Sequence, residues 1–178
     1  MRNAELGVRN ESNDLYARMN RRRVEMESMR DAMLVTSGRL DTSMHGRPVD
    51  VASDASNRRR TVYGMVDRQS LPGLFRAFDF ASPDASAERR PKTVVPQQAL
   101  FGLNSPYVLE QARAIAARSE VNGAKDDAER VAALYRVILA RSPDGDETKR
   151  GMKFLRAGGP VAQLAQVLLL TNEFTFVD

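Results

Sequence analysis

The apolar positions of the second half of the chain fall into helical registers separated by short breaks. Val108, Leu109, Ala112, Ile115 and Ala116 share one face of a helix predicted over residues 107–118, which Asn122-Gly123 closes off. Asp126 or Asp127 is placed to cap the next helix. There Val131, Leu134, Tyr135, Ile138 and Leu139 give the i, i+3, i+4, i+7, i+8 spacing of an amphipathic stripe, and Pro143 is the expected stop. Asp144 caps a further helix through Ala157, with Met152 and Leu155 inward. After Gly158-Gly159, Pro160 opens a last one carrying Val161, Leu164, Ala165, Leu168 and Leu169. Connections this short predict helices packed against their neighbours in sequence.

The first half is less regular. Residues 1–20 show no clear period, although Asn13-Asp14 could cap a turn. Met26, Met29 and Met33 lie on one face of a helix predicted from Arg22 to Ser37, with Gly38 as its stop; such a stripe is read as core. Residues 39–57 hold Gly46, Pro48 and several Ser and Asp, and read as a long loop. Thr61 to Val66 fits a short strand or a short helix, and the pattern leaves both open. Leu71-Pro72-Gly73 is a turn, Leu74 to Phe78 a short apolar piece, and Asp79 to Glu88 another loop. Pro96 drives Val95 into an extended conformation and starts a short helix over Gln97–Leu103, with Ala99, Leu100 and Leu103 on one side. Ser105 as N-cap and Pro106 at the first helical position restart the chain, so that two helices meet at Asn104. The fold expected is mainly α: short amphipathic helices in an irregular bundle, with long Arg-rich loops in the N-terminal half.

Composition narrows the chemistry. The 178 residues are 42% hydrophobic and 28% charged, as a globular chain is. Cysteine is absent, which excludes disulfides, thiolate catalysis and Cys-ligated metal within this chain, and the single histidine, His45, offers no His-rich metal site; no metal site is expected. No stretch is long and apolar enough to span a membrane, and the opening residues do not read as a signal peptide. The net charge of +4 is concentrated before residue 101 and carried mostly by arginine, with only four lysines. Arginine favours bidentate pairing with carboxylate, sulfate or phosphate. Because acids are interspersed and the helical arginines face several ways, a nucleic-acid partner is not expected.

No Ser-His-Asp, phosphate-loop, dinucleotide or zinc pattern occurs. Asp79, Asp84, Glu88, Arg89 and Arg90 surround one loop. Paired carboxylates beside arginines can split their pKa values for acid–base work, or form ion pairs that hold the loop. Arg23, Glu27, Arg30 and Asp31 can form an ionic face on the first helix that fixes packing.

The order of short motifs resembles the C-terminal part of a planctomycete family of unknown function, number 1553 among the domains of unknown function. Carrying the resemblance are Arg22-Arg23-Val24-Glu25-Met26-Glu27, Arg30-Asp31-Ala32-Met33-Leu34, Arg59-Arg60-Thr61-Val62-Tyr63, Phe78-Asp79, Arg89-Arg90, Thr93-Val94-Val95-Pro96-Gln97-Gln98-Ala99-Leu100 with Asn104, and Asn172-Glu173-Phe174. It implies a single unit over 1–178: an N-terminal helix and loop (1–57), an irregular centre (58–104) and a helical bundle (105–178). It also implies a C-terminal fragment of a longer protein, or a start codon assigned late. The longer proteins often carry a c-type cytochrome domain, so the resemblance implies an exported, periplasmic or secreted setting, with upstream domains of the same protein as partners. Haem would lie elsewhere, and no cofactor is expected in this chain. The matching positions make Asp79, Arg90 and Asn104 candidate catalytic residues and Arg59, Arg60, Arg89, Thr93 and Gln98 candidate binding residues. Three functions stay open: a structural or binding module, part of an enzyme acting on an anionic polysaccharide, or an Arg-rich nucleic-acid binder.

Overall fold

The computed structural model describes residues 21–177. The chain enters as a two-residue strand, β1 (Arg22–Arg23), followed by α1 (Met26–Thr36). The helix starts later than the predicted Arg22 because Glu25 is extended, with ψ of 150°. Arg22 and Arg23 instead pair antiparallel with β2 (Phe176–Val177), in the register Arg22↔Val177 and Arg23↔Phe176. Arg23 therefore stands on a strand and not on the face of the first helix. The Met stripe is core: Met26, Met29 and Met33 are all buried.

The end of α1 follows the expected chemistry. Gly38 has φ of +72°, its N–H reaches the Val35 carbonyl, and the Arg39 N–H reaches that of Leu34, which together form a Schellman closure. The Arg118 guanidinium donates to the Thr36 carbonyl at 2.8 Å, placing a cation at the negative end of the helix.

Residues 39–57 are irregular but tied down. Asp41 bridges to Arg59 and Val49 to Gly64, both in parallel sense, and Val51 is buried. Of the short strand and the short helix left open for 61–66, the helical one forms, as a single 3-10 turn over Thr61–Tyr63. A five-residue helix, α2 (Gly73–Ala77), buries Phe75.

The predicted helices are present as α3 (Pro96–Asn104), α4 (Pro106–Ala116), α6 (Asp127–Leu139), α7 (Gly145–Arg156) and α8 (Val161–Leu169), and two short unpredicted turns of helix join them, α5 (Ser119–Asn122) and α9 (Asn172–Thr175). Asp126 is the cap of α6, accepting from the Glu129 N–H at 2.8 Å. Asp144 and Glu147 form a reciprocal capping box at α7. Ser105 stands at the N-cap of α4, but its side chain makes no capping bond there. Helix α6 ends before Pro143, because Ala140 takes a left-handed conformation with φ of +54°.

The centre of the core lies between α4, α6 and α8, where Val108, Ile115, Val131, Leu134, Ala165 and Leu169 are fully buried. Helix α7 approaches α6 closely at Gly151, where a Cβ would stand 2.7 Å from Val131 Cγ2. Helix α3 carries its apolar side on the surface. Ala99, Leu100 and Leu103 face outward, and the buried positions are Gln98 and Gly102. Gln166 fixes that rotation by donating to the Gly102 and Leu103 carbonyls at 3.0 and 2.9 Å.

The C-terminal turn is also held by charge. Arg141 pairs with Glu147 at 2.7 Å and Glu173 at 2.6 Å. Its guanidinium holds the Glu147 carboxyl down to about 2 and Glu173 below its ordinary value. A carboxylate with a depressed folded pKa stabilises above the unfolded value of about 4.3 and loses that contribution as pH falls through its folded pKa. Arg141→Gln is therefore expected to lower the urea midpoint at pH 6, and the gap to the parent should close between pH 5 and 2. Urea denaturation across that range checks it, and a gap independent of pH would contradict it.

Candidate ligand-binding cleft and the arginine staples

Most arginines near the candidate site are spent inside the fold. Arg30, on α1, is 3% exposed. It donates to the carbonyls of Asn57 (2.7 Å) and Arg59 (2.9 Å) and to Thr61 Oγ1 (3.2 Å). Its guanidinium carbon lies 4.8 Å from the Tyr107 ring centroid, and the Tyr107 hydroxyl donates to the Arg30 carbonyl at 2.9 Å. Burial pushes the Tyr107 phenol well above its ordinary pKa, so it remains a donor. Asp31, the next residue, accepts from the Thr61 N–H (2.8 Å) and hydroxyl (2.6 Å). One turn of α1 thus grips residues 57–61 from both ends.

Arg59 grips the preceding loop. It lies over the Tyr63 ring at 4.2 Å and donates to the carbonyls of Ser43, His45 and Arg47. His45, in a left-handed conformation with φ of +65°, offers its backbone N–H to the Tyr63 hydroxyl.

The Asp79–Glu88 loop does not bring its charges together. Asp79 has φ of +57°, and both its oxygens are taken by Thr93: the N–H at 2.7 Å and the hydroxyl at 2.8 Å. Gln98 completes this clasp, donating to the carbonyls of Ala77 (2.8 Å) and Thr93 (3.2 Å) and accepting from the Val95 N–H. Arg90 turns away to Glu27 (2.8 Å) and Glu25 (3.6 Å) and lies 4.7 Å from the Phe80 ring centroid. Asp84 faces Arg68 at 3.6 Å. Glu88, Arg89 and Asn104 are exposed, and their side chains make no hydrogen bond or ion pair with any described residue. Arg23 lies over the Phe78 ring at 4.9 Å, where burial lowers its pKa. The four residues considered for one ionic face therefore divide: Glu27, Arg30 and Asp31 share α1, and Arg23 stands apart.

A cleft of about 350 Å³ opens between α1 and residues 60–66. It is lined by Glu27 and Asp31 of α1, by Arg60 at the start of the 3-10 turn, by Arg90, and by the apolar side chains of Val62, Val66, Phe75 and Phe80. Glu27 Oε2 is enclosed and receives no hydrogen bond from any described residue. The Arg60 side chain is 53% exposed, and its ionic contact among the described residues is Asp31 at 4.0 Å. A half-exposed guanidinium and apolar side chains thus share the lining of the cleft. Three other spaces differ: one of only about 30 Å³ lies among Arg23, Phe78, Asp79, Arg90, Thr93 and Gln98. The groove beside α3 is lined mainly by apolar side chains, and the space between the Met stripe and residues 51–55 holds only about 90 Å³. Val62, Val66, Phe75 and Phe80 were not among the residues expected at a site; their apolar character alone gave no sign of it.

A family model described as "protein of unknown function (DUF1553)" matches residues 2–155. The chain belongs to this family. No curated protein matches, and no solved structure matches. The matched span includes every motif quoted above except Asn172-Glu173-Phe174. Among the described residues no helix is long and apolar enough to cross a membrane.

The clasp gives a direct expectation. Thr93→Val and Asp79→Asn should each lower stability by about 0.5–1.5 kcal/mol, the net worth of a side-chain hydrogen bond. The double variant should cost less than the sum, with a coupling of about 1 kcal/mol. Urea denaturation of all four proteins checks this, and additive costs would contradict the clasp.

Proposed function

We propose that this chain is a non-catalytic binding module of a longer exported protein, with the cleft between α1 and residues 60–66 as its ligand site. One observation carries the reading. Residues from separated family motifs line this cleft, and after the internal pairings are made, the half-exposed Arg60 guanidinium remains available beside its apolar lining. Asp79, the carboxylate best suited by sequence to acid–base work, is instead committed to Thr93. The arginines that raised a polyanion partner are largely committed too: Arg30, Arg59 and Arg90 hold backbone or carboxylates, and Arg141 bridges two glutamates. The exported setting, the upstream domains and a cytochrome domain elsewhere in the same protein rest on the family resemblance.

The test is an amide chemical-shift titration of the labelled chain with mixtures of small metabolites. Recovered ligand is analysed by mass. The expected result is perturbation at Glu27–Asp31 and Arg60–Val66, with the ligand recovered unaltered. Chemical conversion that disappears in Asp79→Asn would overturn the reading in favour of an enzyme. Perturbations confined to the α3 surface would overturn the choice of site.

A further inference from the structure

We infer that the exposed sides of α3 and α8 form one docking face for a second copy of this chain, packed about a two-fold axis.

The face begins with a helix stripe that nothing covers. Pro96, Ala99, Leu100, Leu103 and Asn104 recur at i, i+3, i+4, i+7 and i+8, the spacing of a side that packs on other helices, and all five are exposed. Leu100 is 55% exposed and Leu103 57%. Helix α8 continues the face. Its Gln166 and Leu170 meet α3 at Gly102 and Leu103, and Gln163 and Val167, next round the helix, are exposed. Exposed leucines and valines are thus gathered on two touching helices rather than scattered, which marks an interaction surface.

Charge selects the occupant. Residues 93–109 and 157–172 contain no charged side chain, in a chain that is 28% charged. An acidic or basic partner finds nothing here to pair with. Two copies, each with a net charge of +4, repel one another over the rest of their surface, but on this face they bring no like charges together. Its polar members are the exposed amides of Gln97, Asn104 and Gln163. An amide both donates and accepts, so it can pair with an amide of an identical face.

Shape points the same way. A groove of about 330 Å³ adjoins the stripe, lined by the buried Met29 and Met33 and by the exposed Val94, Ala99 and Leu103. Leu100 stands outside that lining. A projecting leucine beside an apolar groove is what an isologous contact requires: a two-fold turn offers the Leu100 of each protomer to the groove of its partner. The two helices have nine residues each and are about 14 Å long, so the face is small beside the roughly 800 Å² that each partner buries in a standard interface. The dimer is therefore expected to be weak, with a dissociation constant on the order of 100 μM.

Sedimentation of the whole chain between about 10 μM and 1 mM tests this. The parent should pass from monomer to dimer and stop there, because an isologous contact closes on itself. Leu100→Asp and Val167→Asp should each weaken the dimer at least about tenfold, since each drives a carboxylate into an apolar contact. Both positions are exposed, so the variants should keep the parent's melting temperature. Val35→Asp, at a 59% exposed position on α1, should dimerise like the parent. Added salt should leave the dimer unchanged or tighten it, because screening removes only the repulsion between copies. A chain that stays monomeric at 1 mM would overturn the inference and leave the face to a different partner. So would a dimer that Leu100→Asp does not weaken, a dimer that salt dissociates, or assembly that continues past two copies.

Discussion

The Arg30 guanidinium lies almost out of water between α1 and residues 57–61, and the N-terminal half is arranged around it. Removing a guanidinium from solvent costs several kcal/mol unless its donors and charge are met. Here two backbone carbonyls and the Thr61 hydroxyl accept from its two terminal nitrogens, Asp31 stands 3.8 Å away, and the Tyr107 ring covers it, while Nε meets no acceptor among the described residues. Each partner is thereby fixed in place. The Asn57 and Arg59 carbonyls set the path of the chain into the 3-10 turn, and Tyr107 locks α1 onto α4. The wall of the cleft opposite Glu27 is a consequence, because Arg60 and Val62 are carried by the segment that Arg30 holds.

Arginine plays this part repeatedly. The chain is only 6% aromatic and has no tryptophan or cysteine. Its irregular segments cannot draw on disulfides or large aromatic clusters. They are fastened instead by guanidinium groups lying over single rings and binding carbonyls or carboxylates: Arg30 on Tyr107, Arg59 on Tyr63, Arg90 on Phe80. The planar fork suits this, since it presents several donors at its edge and an apolar face to a ring. The positive composition therefore reflects how the loops are held, and a count of charges overstates what the surface offers to a polyanion.

The C-terminal half was legible in sequence because its signals are local. Apolar residues recur at helical spacing, and Asp126, Asp144 and Gly158 mark the breaks. Where local signals compete, the reading failed. The apolar side of α3 seemed to be Ala99, Leu100 and Leu103, yet Gln98 and Gly102 turn inward. There Gln98 serves the Ala77 and Thr93 carbonyls, and Gln166 reaches the backbone at Gly102. A polar side chain meeting buried carbonyls outweighed an apolar stripe, and no spacing rule shows that. The β1–β2 pairing joins residues more than 150 positions apart with only two residues on each side, too short for any alternation to register. Several of the family motifs line the proposed cleft, but their order in the sequence does not show the pairings. Asp79 and Arg90 are close in sequence and point to different partners, Thr93 and Glu27.

Amide hydrogen exchange on Arg30→Lys tests the central role of the buried guanidinium most directly. Lysine keeps the charge but has no planar fork to reach the Asn57 and Arg59 carbonyls together while covering Tyr107. Protection is expected to fall across residues 41–64, with α4, α6 and α8 keeping theirs. Unchanged protection in 41–64, or an equal loss throughout the chain, would contradict the account.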